Sequence, residues 1–134
     1  MGLDSAQADS DALKILCDKI RSLDHSILSL TVANKDGDLI AHSYGSEYQE
    51  RFLEKASEIR KKAGTFGALF MGMESQANHV FGETQAVVRL HSNAKLIVIP
   101  FPSRKYLLTL LTKREADSES IIQKVREMEE LMQF

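Results

Sequence analysis

Between Gln85 and Thr112 the chain carries three apolar runs with only brief turns between them. Gln85-Ala-Val-Val-Arg-Leu-His91 turns at Ser92-Asn93. Lys95-Leu-Ile-Val-Ile-Pro-Phe101 turns at Ser103-Arg104-Lys105, and Tyr106-Leu-Leu-Thr-Leu-Leu-Thr112 closes the series. Short runs rich in Val, Ile, Leu and Thr, bounded by turn residues, read as strands. Connections this short cannot hold a crossover, so consecutive strands must be antiparallel neighbours. The middle run is apolar almost without interruption, which predicts burial on both faces. Pro100 and Pro102 confine its end to a place where a missing amide donor is tolerated.

Upstream the pattern has a different period. Asp9 or Ser10 can cap a helix whose apolar positions are Leu13, Leu16, Cys17, Ile20 and Leu23, one stripe ending near Ser22 to His25. Ile27 to Ala33, the turn signal Asn34-Lys-Asp-Gly37, and Leu39 to Tyr44 then read as a β-hairpin. Near the C-terminus, Asp117 or Ser118 opens a helix with Ile121, Ile122, Val125, Met128, Leu131 and Met132 on one face. Residues 1–8 are small and polar and are expected to form a disordered tail, with 9–134 a single domain. The expected order is helix, two strands, helix, three strands, helix: an α/β sandwich on a five-stranded antiparallel sheet.

The middle helix is the unusual element. Ser46 is placed to cap it, and Phe52, Ala56, Ile59, Ala63, Phe66 and Phe70 recur along it every three or four residues. Continued to about Met73 it would be roughly 40 Å long. Gly64, Gly67 and Gly72 fall in or at its end, and an interior glycine costs about 1 kcal/mol relative to alanine. Close packing against another backbone offsets such a cost, so this helix is expected to lie between the sheet and a second helix, which a second copy of the chain can supply.

A chain of 134 residues with 43% hydrophobic content holds a core without disulfides or metal. The balance of 17 basic against 19 acidic residues argues against a dedicated nucleic-acid binder. The basic spots Arg60-Lys61-Lys62, Arg104-Lys105 and Lys113-Arg114 read as solvated faces. Cys17 is the only cysteine and sits on an apolar stripe, where it reads as a small buried hydrophobe. No run approaches a membrane span, so a cytoplasmic protein without membrane insertion is expected. His25, His42, His79 and His91 are scattered, and no carboxylate or cysteine completes a metal spacing. The glycines lack the lysine and the strand–loop context of a phosphate cradle. The chain is accordingly expected to have no cofactor and no enzymatic activity of its own, and to work by offering a surface.

The stretch from Gln85 to Thr112, the hairpin around Lys35-Asp-Gly37 and the long small-residue-rich helix together resemble the roadblock/dynein light-chain family. The resemblance covers about Leu13 to Leu131 and rests on patterns of apolar and turn residues. The chain departs from the pattern in the polar Gly82-Glu-Thr84 before the third strand, and in the glycine-rich close of the long helix. The resemblance implies dimers, with a second copy or a paralogous roadblock protein, in which the long helices pack antiparallel and the third strands pair edge to edge. It would place Ala56, Ile59, Ala63, Gly67 and Phe70 at the helix seam, and Ala86, Val87, Val88 and Arg89 on the joined edge. Arg60, Gly64 and Met71 are the candidates for contact with a further partner. The implied function is regulating or scaffolding a Ras-like small GTPase, with GTPase activation as one form of it. The alternatives are a structural adaptor without effect on hydrolysis, or a small-molecule sensor.

Overall fold

A computed structural model describes residues 2–55, 58, 61 and 80–134. The opening helix α1 (Gly2–Arg21) buries Leu13, Leu16, Cys17 and Ile20, the stripe its spacing predicts. It starts ahead of the expected cap, so the backbone of 2–8, read above as a tail, is helical. Ser10 does not cap it. Its hydroxyl donates instead to the Ile40 carbonyl, 3.3 Å away.

Strands β1 (Ile27–Asn34) and β2 (Leu39–Tyr44) form the expected hairpin. Its turn is built on Asn34, whose Oδ1 accepts from the backbone N–H of both Asp36 and Asp38 at 3.0 Å. Gly37 takes a φ of 85°, a left-handed conformation that only glycine adopts without strain. Helix α2 (Ser46–Phe52) follows, with the Gly45 carbonyl accepting from the Gln49 N–H. The expected uninterrupted α-helix is corrected here: the chain tightens into a 3-10 turn at Leu53–Lys55.

The meander is β3 (Val87–Leu90), β4 (Ala94–Pro100) and β5 (Tyr106–Lys113). Helix α3 (Ser118–Arg126) is capped by Asp117, whose carboxylate accepts from the Ser120 N–H at 3.1 Å. Beyond it a 3-10 turn, Glu129–Met132, buries Met132 but leaves Leu131 about half exposed. Leu131 therefore leaves the apolar face expected for it, because the tighter winding rotates it outward.

All five strands pair antiparallel in the order β2-β1-β5-β4-β3. Helices α1 and α3 lie on one face, where Leu13, Leu16, Ile20, Ile121 and Val125 meet Leu30, Val32, Ile97, Ile99, Leu108 and Leu110. On the opposite face Tyr48 of α2 packs with Leu28, Ala94 and Leu111, and Phe52 and Leu96 border them. Glu47 pairs with Lys113 at 3.2 Å and ties α2 to β5. The sheet is thus sandwiched between helices, as the near-continuous apolar run of the middle meander strand predicted. Ala56, Ile59, Arg60, Ala63, Gly64, Gly67, Phe70 and Met71 lie outside the described residues.

Candidate functional site

A five-stranded open sheet has two edges, and the edges of this one are built differently. An exposed strand edge presents a row of unpaired backbone groups that invites another chain, unless something blunts it. At the β2 edge two devices do so. The register shifts from Val32↔Ala41 to Ala33↔Leu39, so Ile40 is the extra residue of a bulge. The Ile40 carbonyl is then taken up by the Ser10 hydroxyl of α1.

The β3 edge has neither device. Its register with β4 is regular, Val87↔Val98, Val88↔Ile97, Arg89↔Leu96 and Leu90↔Lys95. Among the described residues no strand pairs with its outer side. Because side chains alternate along a strand, Val88 and Leu90 point to the α1/α3 face, with Val87 and Arg89 on the other. Val88 remains 42% exposed and Leu90 58%. Ala86, just before the strand, is half-buried against the main core. Of the four edge residues named from the sequence, Ala86 and Val87 are thus partly covered, and Val88 and Arg89 are exposed. Leu90 was not among them, although its alternation with Val88 was the available signal.

The approach to β3 adds further apolar surface. Val80 and Phe81 are largely exposed, Phe81 to 87%. Gly82 follows with a φ of 82°, and then Glu83 and Thr84 are held from the β4–β5 turn by Arg104. The guanidinium donates to Glu83 Oε2 and to the Thr84 carbonyl, both at 2.9 Å. Glu83, Thr84, Phe101, Arg104, Arg126 and Glu129 border a groove of about 180 Å³ at this end of the sheet. The polar Gly82-Glu-Thr84 that departed from the family pattern is the segment this arginine grips.

Reactive groups elsewhere are placed for packing. Burial pushes the Cys17 thiol up to about 12, with Lys14 working against that shift and Asp18 adding to it; the thiol is therefore protonated and inert at neutral pH. His42 lies in an aromatic row, its ring centroid 5.0 Å from Tyr44 and 5.8 Å from Tyr48. His25 and His91 are exposed, and His79 falls outside the described residues. Among the described residues no cluster of three or more His, Cys, Asp or Glu is placed to hold a metal. Nor is any described helix long and apolar enough to cross a membrane.

No family model matches this sequence, and no curated protein does. Solved structures do match. The chain superposes on MglB of Myxococcus xanthus with a TM-score of 0.70 at 11% identity, covering 91% of this chain and 85% of that one. A Roadblock/LC7 domain from Streptomyces avermitilis gives a TM-score of 0.61 at 20% identity, covering 87% and 91%. An MglB solved in a tetrameric arrangement gives 0.67 at 12% identity, covering 91% and 88%. The chain has the roadblock fold. In this roadblock fold the third strand lies at the open edge, and the meander, the hairpin and both flanking helices take the order read from the sequence.

Proposed function

We propose that this roadblock-fold chain is a self-associating regulator or scaffold of a Ras-like small GTPase, acting as a recognition platform without catalysis of its own. The observation that carries the proposal is the β3 edge, which no strand among the described residues pairs, with Val88 and Leu90 exposed beside it while the β2 edge is bulged and capped. Likeness in fold to an MglB with a tetrameric arrangement supports association between copies. Two copies, or this chain and a paralogous roadblock protein, join through Ala86, Val87, Val88 and Arg89. Ala56, Ile59, Ala63, Gly67 and Phe70 form the helix seam, and Arg60, Gly64 and Met71 supply the GTPase contacts. With two platforms side by side, the assembly acts by positioning groups of the GTPase itself, since phosphoryl transfer depends on placement and charge stabilisation.

The test is single-turnover GTP hydrolysis by the small GTPases of the same cell, with and without this protein, alongside size-exclusion co-elution. A changed rate with a stable complex supports the regulator. A stable complex with an unchanged rate assigns the scaffold role, and absence of binding to every GTPase tried overturns the proposal.

A further inference from the structure

Arg104 is the one non-glycine residue with a positive φ among the described residues, at 64°. For an L residue this left-handed region costs on the order of 1 kcal/mol, and a turn ordinarily avoids that cost with Gly or Asn. The turn itself is closed by backbone, the Arg104 N–H donating to the Phe101 carbonyl at 2.9 Å. What the arginine adds is reach. Its guanidinium leaves the turn and grips a segment twenty residues back in sequence, through the Thr84 carbonyl and the Glu83 carboxylate. That segment lies between Gly82 and β3, the four-residue strand whose outer side no strand pairs among the described residues.

A short strand bonded on one side has few contacts to hold it and opens locally at low cost. A chain pairing with that edge must order it first, and the ordering weakens association unless it has been done already. A planar guanidinium can donate to a carbonyl and a carboxylate at once, which the single ammonium of lysine does poorly. We propose that Arg104 is a positioning residue, a clasp that fixes the approach to β3 and holds the pairing edge ready. The proposal rests on the reading of β3 as the edge through which copies join.

The variants are chosen so that fold and association separate. Arg104→Gly removes the clasp and also relieves the left-handed strain, so its thermal midpoint, read at a protein concentration where the chains are dissociated, should stay level or rise. Its dissociation constant by sedimentation velocity should nonetheless weaken about tenfold, with faster amide exchange over Val87–Leu90. Arg104→Lys should fall between Arg104→Gly and the parent. Glu83→Gln keeps an acceptor in place and should weaken association only about twofold, since the Glu83 carboxylate is largely solvated. A role confined to stabilising the fold would move the midpoint and the dissociation constant together. Val88→Lys, directly on the edge, serves as the control. If it weakens association while Arg104→Gly leaves it unchanged, the clasp is refuted and the edge stands. If Val88→Lys leaves association unchanged, the edge reading fails and the clasp with it.

Discussion

Replacing Val88 with lysine should separate two copies of this protein while leaving each one folded. Fully burying a valine side chain stabilises by about 1.5–3 kcal/mol. Val88 is 42% exposed in the single chain, so covering the remainder contributes roughly 0.6–1.3 kcal/mol per copy on that scale. A two-fold symmetric pairing counts the residue twice, giving roughly 1–2.5 kcal/mol from lost burial alone, or about five- to seventyfold in the dissociation constant. The two introduced ammonium groups would also approach one another across the joined edge, adding repulsion, which is how natural edge strands use lysine to stay single. The aliphatic stem of lysine can keep most of the cover that Val88 has in the single chain, so the fold itself should shift by no more than about 1 kcal/mol. Sedimentation velocity over a concentration series measures the first quantity, and urea unfolding at low protein concentration measures the second. A dissociation constant within twofold of the parent would refute the assignment of β3 as the joining edge. Loss of the fold would show instead that the strand is held more tightly than its exposure implies.

Three further outcomes follow from contacts inside the subunit. The buried Ser43 hydroxyl donates to Asp18 Oδ1 at 2.6 Å and accepts from Arg21 Nε at 2.9 Å. Ser43→Ala should therefore lower unfolding free energy by about 1–3 kcal/mol in urea titration, and an unchanged midpoint would show that water replaces the hydroxyl. Asp18 and Asp24 are both held below the ordinary carboxylate value, Asp18 first by the Ser43 hydroxyl and then by Lys14, Asp24 first by the Ser26 hydroxyl and then by its backbone N–H. With the folded-state value depressed, their contribution is present above about pH 4, the unfolded-chain value, and is lost as pH falls through the folded-state value. The urea midpoint of Asp24→Asn should consequently fall less than the parent's between about pH 5 and pH 2.5, and an equal fall would remove Asp24 from the acid transition. The Cys17 thiol, raised to about 12 by burial, should react with an aromatic disulfide at pH 8 at least about a hundredfold more slowly than a free thiol; comparable rates would mean that α1 opens readily.

The fold was legible in the sequence to the extent that local pattern carries it. The α1 and α3 stripes, the Asn34–Gly37 turn and the three-run meander each follow from a short stretch whose own period and turn residues admit one solution. The candidate edge was half legible, because Val88 and its neighbours read as a strand, but nothing local says which of five strands lies outermost. Leu90 was legible only through its alternation with Val88, since its exposure is fixed by the tertiary packing. Helix tightening at Leu53–Lys55 and Glu129–Met132 was also hidden, as an amphipathic stripe tolerates either winding over a single turn.

Residue by residue, then, this chain alone determined most of its elements and the antiparallel pairing of consecutive strands, since those depend on neighbours along the backbone. Tertiary structure decided the rest. Strand order put β2 and β3 at the two edges, α1 came to guard one of them through Ser10 and Ile40, and Arg104 met Glu83 and Thr84 across the other end. Such contacts join residues twenty to thirty positions apart, and no local period encodes them. They arise only once burial of the shared core brings the segments together.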